Sequence, residues 1–311
     1  MVGLWRKQPG LIAGQQTLDT ELVFPSGRQA LIKALMNLGL SRPSRVAIPE
    51  FSSACVIASV GRVATPIPMT EVLSHQLKVD AILAYEQWGW PFSEQVLQQL
   101  DGLKTPIIFD AVDSADALQR LVPLSKGLPV VVSLSKCLGF AIGGVLHQFG
   151  HWQRRHDSEI TLAQPSLNSV IELDIYKSYG NDIHCIQPLL GGDVLASLEQ
   201  ESELRRANLA NVARDGLTVN WPTWMLDIIS AKQGAPGIAP LMRGKSHEAK
   251  LEAVKNCEKL GISAQIYNFN WSGNPLRPAY EPCLAFPLHS ELPWSESVSA
   301  LLKQWCASDN D

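Results

Sequence analysis

Between residues 45 and 133 one pattern recurs: four or five apolar, often β-branched residues, then turn residues, then a stretch with helical spacing. The runs are RVAI (45–48), ATPIPM (64–69), AILAY (81–85), PIIF (106–109) and PVVVS (129–133). Strands separated by helices cannot close as tight hairpins. Each connection crosses over, which places helices on the faces of a mostly parallel sheet. Strands covered on both faces have no solvated side, which is why these runs do not alternate with polar residues. The preceding segment PSGRQALIKALMNLGL (25–40) puts Leu31, Leu35 and Leu38 at helical spacing, with Ser26 as N-cap and Gly39 as stop. Further helices are expected at about 52–60 and within SEQVLQQLDGL (93–103).

Ligands of such sheets bind beyond the carboxyl ends of the strands. Asp110 ends one predicted strand, and Lys136 directly follows the next, in SLSKCLGFAIGG (133–144). The two are 26 residues apart, the length of one crossover. The longer run LPVVVSLSKCLGFAIGGVL (128–146) holds that lysine at its centre among glycines, so it reads as strand, turn and second strand rather than a membrane span. An amine in such surroundings is costly unless paired or chemically converted. Alone, Lys136 reads equally as a surface lysine in a turn, and Asp110 as a helix cap. Together they supply what pyridoxal 5'-phosphate requires: an amine to form a Schiff base and a carboxylate to keep the pyridine nitrogen protonated. Ser26, Gly27 and Arg28 at a helix start, with Ser133, would take the phosphate. Ser26 as a plain cap and Arg28 as a structural ion pair remain open. Trp88, in EQWGWP, would stack on the ring, unless it is a core tryptophan.

The second part of the chain has a different texture. ESELRRANLANVARDGL (201–217) is strongly helical; then come a strand GIAPLMR (237–243), a helix at about 246–260, a strand SAQIYNF (263–269) and a last helix at about 294–306. We divide the chain into a large domain, 1–205, and a small α+β domain, 206–311. Net charge is −4 without a basic block, which argues against nucleic acid. The six cysteines form no C-x-x-C pair and the histidines no metal spacing, so no metal site is expected. With no secretion-type pattern in MVGLWRKQPG, a reduced, cytoplasmic setting and no membrane association are expected.

Seven segments in one order resemble the DegT/StrS type of sugar aminotransferase, among the fold-type I pyridoxal-phosphate enzymes. They are SGRQALIKALMNLGL, RVAIPEFSSACVIASVGRVATPIP, EQWGWP, IIFDAVDSADAL, SLSKCLGFAIGGVL, LRRANLANVARDGL and PCLAFPLHSELPWSESVSALL. The resemblance implies a large domain with a seven-stranded-type sheet, a small C-terminal α+β domain and a homodimer whose sites are completed across a two-fold axis. It makes Lys136 the cofactor lysine and the base that moves the substrate proton, with a pKa lowered by desolvation among cations. Asp110 would hold the ring nitrogen, and Trp88 or Phe51 would cover the ring. Amino transfer from glutamate or glutamine to a keto group on a nucleotide-linked sugar follows.

The chain departs from the family pattern at several points. The segment after Lys136 is shortened, and Asn181 in SYGNDIHCIQ stands for the asparagine that reaches a neighbouring cofactor, with the accompanying arginine missing. Asp113 replaces a histidine or glutamine, and would disturb the pyridine side or cap a helix. Glu86 replaces a histidine, implying an altered acceptor pocket. Two alternatives stay open. One is an amino-acid transaminase or lyase in which Arg243 clamps an α-carboxylate, unless that arginine forms a surface ion pair; the other is a non-catalytic binding protein.

Overall fold

The apolar runs pair edge to edge in a computed structural model that describes residues 2–5, 22–124, 127–139, 143–147, 194–292 and 294–307. Strands β1 (Leu22–Phe24), β2 (Arg45–Ile48), β3 (Thr65–Pro68), β4 (Ala81–Tyr85), β5 (Ile107–Asp110), β6 (Val130–Ser133) and β7 (Gly144–His147) form a seven-stranded sheet, ordered β1-β7-β6-β5-β4-β2-β3. Strands β3, β2, β4, β5 and β6 are mutually parallel, and β7 runs antiparallel to both its neighbours. The mostly parallel seven-stranded sheet is thus present. Successive side chains alternate between two cores: Ile82, Ile107, Phe109, Val130 and Val132 on one face, Leu83, Ile108 and Val131 on the other.

Helix α1 (Gly27–Asn37) begins as expected, with the Ser26 hydroxyl accepting from the Gln29 amide at 3.5 Å. It ends at Gly39, whose φ of +73° lets the Leu40 amide turn back to the Leu35 carbonyl. Helices α2 (Ala54–Val63), α3 (Met69–Ser74), α4 (Glu94–Asp101), α5 (Ala117–Leu121) and the single turn α6 (Leu134–Cys137) complete this unit. The Gly143-Gly144 pair is explained by close approach. Gly143, at φ +124°, donates to the Pro25 carbonyl and accepts from the Leu134 amide. A Cβ on Gly144 would lie 2.1 Å from the Ser26 carbonyl oxygen. The pair thereby seats β7 against both the start of α1 and the lysine turn.

Helix α7 (Val194–Arg214) leads to the second unit, so a division at 205–206 falls inside a continuous helix. Beyond it lie α8 (Thr223–Ser230), β8 (Ile238–Leu241), α9 (His247–Lys259), β9 (Gln265–Asn270), β10 (Tyr280–Pro287) and α10 (Glu296–Ala307). The strands form an antiparallel sheet in the order β8-β10-β9. The central strand β10 is not among the strands expected from the sequence; it carries Pro282 and Pro287, a residue type that disfavours an interior strand. The register resolves this: β8 pairs only with Leu284–Pro287, so Pro282 lies where β10 has no second neighbour, and Pro287 is its last residue.

The units are riveted together by the turn after β4. Trp88 and Trp90 leave the large sheet and enter the small core, where Trp88 stacks on Phe269 and Trp90 packs edge-on against Trp221. Trp88 takes φ +59°, a strained value for such a residue, while its carbonyl accepts from Gly237 and the Trp90 indole donates to the Ile238 carbonyl. The second tie is Arg205 of α7, 1% exposed. Its guanidinium pairs with Glu201 and donates to the carbonyls of Asp113, Lys136, Cys137 and Ala235. Replacement by Met leaves those carbonyls and the Glu201 carboxylate without that cation. Arg205→Met is therefore expected to cost roughly 3–5 kcal/mol in denaturant unfolding, and Arg205→Lys to recover little, because an ammonium cannot span the set.

Candidate active site

The carboxyl ends of β5 and β6 and the starts of α1 and α2 open onto one cavity of about 200 Å³. Six of the residues singled out from sequence line it: Ser26, Gly27, Arg28, Asp110, Ser133 and Lys136. The fold brings them together in a simple way. Ser26 and Gly27 stand at the N-terminus of α1, where the helix dipole favours an anion. Gly27 sits so near Ser133 that an added Cβ would lie 3.4 Å from the Ser133 Cβ. A second helix start, that of α2, contributes Ser53, Cys55 and Val56 to the same wall, and the lysine turn adds Ser135, whose hydroxyl is 2.9 Å from that of Ser133. Sequence reading overlooked Ser53, Cys55 and Ser135. Only their position just past a strand end could have marked them.

Asp110 is 3% exposed and accepts a long hydrogen bond, 3.4 Å, from the Val112 amide. Burial pushes its carboxyl up to about 7 against the pull of the Lys136 ammonium, and the carboxylates of Asp113 and Glu86 push the same way. Lys136 keeps 39% of its side chain exposed by facing the cavity, and its Nζ lies 3.1 Å from Asp113 Oδ1. Burial acts against its charge, yet Asp113 and then Asp110 outweigh burial and hold the pKa above the ordinary lysine value. This corrects the expectation of a lysine depressed by neighbouring cations: the neighbours are carboxylates.

The structure sends other expected residues elsewhere. Trp88 is a core tryptophan of the small unit and does not line the cavity; Phe51, 55% exposed, packs edge-on against Tyr280. Neither covers the cavity in this chain. Arg243 forms a two-pronged ion pair with Glu281 and lies over Trp271, in a separate depression of the small unit. The carboxylate clamp assigned to it is thus replaced by a structural pair. Glu86 is fully buried and held by both prongs of Arg120 and by Ser114, so it acts as an internal brace rather than a pocket group. Asp113 does not cap a helix; α5 starts after Asp116, and Asp113 binds Lys136. Asn181 lies outside the described residues. Among the described residues, no group of three or more metal-ligating side chains occurs and no helix is long and apolar enough to cross a membrane.

No family model matches the sequence, and no curated protein sequence matches it. Solved structures do. Spr1654 of Streptococcus pneumoniae, described as a candidate sugar aminotransferase and solved in its PMP form, superposes with a TM-score of 0.56 at 15% identity, covering 97% of this chain and 90% of that one. A DegT DnrJ EryC1 StrS aminotransferase from Brucella abortus gives 0.54 at 16% identity, over 92% and 84%. DesV of S. venezuelae gives 0.55 at 17% identity, over 92% and 85%. Over 92–97% of its length, the chain has the fold of these solved aminotransferases.

Proposed function

We propose that the chain is a pyridoxal 5'-phosphate-dependent aminotransferase that moves an amino group from glutamate or glutamine to a keto group on a nucleotide-linked sugar. The observation that carries this reading is the meeting of Asp110, Lys136 and two helix N-termini in one cavity. The donor set fits the cofactor. A buried carboxylate whose pKa is raised to about 7 is a site prepared for a cationic partner, which a protonated pyridine nitrogen provides. Ser26, Gly27, Ser133 and the amides at the starts of α1 and α2 fit a phosphate, and Lys136 fits the aldehyde. The sugar acceptor is supported by the likeness to structures described as sugar aminotransferases.

When bound, the cofactor supplies an electron-accepting ring that carries an amino group from donor to acceptor. The chain's own contributions are local. Asp110 would hold a proton on the ring nitrogen. Lys136 would hold the aldehyde, and its Nζ would serve as the base for proton movement at the substrate carbon. Arg205 fixes the main chain of Lys136 and Cys137 and so holds the lysine turn in place. We include a homodimer in the same reading. Helix α2 turns Ala54, Cys55, Ile57 and Ala58 to solvent beside Phe51, an apolar face next to the cavity that a second copy would cover. A cytoplasmic location is in keeping with the free thiols of Cys55, Cys137, Cys257 and Cys283.

Three outcomes are expected. The protein mixed with pyridoxal phosphate gains a visible absorption band that glutamate abolishes within one turnover, with release of one equivalent of keto acid; Lys136→Ala forms no such band. A colourless protein, or continued keto-acid release without an acceptor, would contradict the assignment. The second concerns pH. The folded pKa of Asp110, about 7, exceeds the ordinary 3.8, so between these values the folded chain keeps a proton that the unfolded chain has lost, and stability falls as pH rises through that window. Cofactor-free Asp110→Asn should accordingly be more stable than the parent at pH 8, by on the order of a few kcal/mol, converge with it at acid pH, and bind pyridoxal phosphate poorly. Third, sedimentation should give the mass of two chains, and Ile57→Glu on the exposed face of α2 should give one.

A further inference from the structure

The carboxylate of Asp113 has no part in the assignment above, yet it is the group that touches Lys136. Two other elements converge on it. The Trp5 indole N–H donates to Oδ1 at 3.1 Å, and the Tyr85 hydroxyl donates to Oδ2. The Tyr85 oxygen in turn accepts from the Trp88 amide, and the Trp5 ring lies 5.6 Å from Lys136 Nζ. Trp5 is itself anchored. Val2 is bound on both sides to the strand-like segment at Gly261 and Ser263, and the Gly3 carbonyl oxygen lies 2.8 Å from His289 Nε2. The Asp113 carbonyl is gripped by Arg205 at 2.8 Å, and a Cβ on Gly89 would come within 2.8 Å of the same oxygen. Main chain and both carboxylate oxygens are therefore fixed by groups other than the lysine.

A carboxylate aimed in this way by two neutral donors keeps its charge available for a cation and cannot swing aside. We propose that Asp113 is the positioning residue of Lys136, holding its ammonium at the edge of the cavity, with Tyr85 and Trp5 fixing the direction of the carboxylate. The role given to Lys136 rests on the cofactor reading; the pair itself does not. To act on a carbonyl, the amine must release a proton to water and leave Asp113, so Asp113 sets the pH above which Lys136 is nucleophilic. The other groups facing Lys136 are Asp110 at the end of β5, the Cys55 thiol from α2 and, behind the turn, the Arg205 guanidinium. Among the described residues, Asp113 is the carboxylate at ion-pair distance.

The test is competitive labelling of Lys136 by acetic anhydride across pH, read by mass spectrometry on the full-length protein after hydroxylamine has removed any carbonyl compound. Asp113→Asn keeps the shape and removes the charge. It should move the labelling midpoint to lower pH by about one unit or more, the scale of a lost opposite charge at contact. Tyr85→Phe keeps the charge and removes a donor from it. It should move the midpoint the other way, because the carboxylate then leans harder on the lysine. A midpoint unchanged in either variant that retains the parent circular dichroism overturns the proposal. No cofactor enters this measurement. A protein that never binds pyridoxal phosphate but shows both shifts would refute the enzymatic reading and leave the pair standing.

Discussion

A single buried guanidinium holds the parts of this molecule in register. Arg205 reaches from α7 to the carbonyls of Asp113, Lys136 and Cys137 on the large unit and of Ala235 on the small one, while Glu201 balances its charge. A fully buried cation is tolerated only where its donors are all met. Here the groups that meet them are Glu201 and main-chain carbonyls, three of them in the segments that hold Asp113 and Lys136. The fold's stability and the placement of the lysine are therefore two aspects of one arrangement. The tryptophan pair Trp88 and Trp90 fixes the same domain pairing by a different force, burial of aromatic surface.

The cavity that results has divided electrostatics. Two helix starts and small hydroxyls line one wall, which suits an anion; Asp110 lines the side that suits a cation, and the buried Asp113 pairs with the lysine. Asp110 is held near its neutral form by burial, a condition that a cationic ring beside it would reverse. Lys136 is in the opposite condition, since its charge is already matched by Asp113. Binding and reactivity would thus be governed by different carboxylates only three residues apart in sequence.

Much of this was legible in the sequence, for a physical reason. Apolar runs bounded by turns announce buried parallel strands, and the chemistry of such sheets gathers at strand ends, so Asp110, Ser133 and Lys136 could be placed by position alone. Ser26 and Gly27 followed from the capping pattern. What could not be read was anything set by contacts between distant segments. Trp5 meets Asp113 across 108 residues, and Arg205 meets Lys136 across 69. The side chains of Trp88 and Arg243 were misplaced because their neighbours, Phe269 and Glu281, come from strands of the second sheet. Strand β10 was not anticipated, and the sheet accommodates its Pro282 where no second strand pairs.

The proposed function requires that Lys136 and Asp110 serve the same bound molecule. A crystal structure of the protein soaked with pyridoxal phosphate tests it most directly. It should show density continuous from Lys136 Nζ into the ligand, the ring nitrogen at hydrogen-bond distance from Asp110, and the phosphate between Ser26, Gly27 and Ser133. A ligand bound elsewhere, or a ring whose nitrogen points away from Asp110, would contradict it.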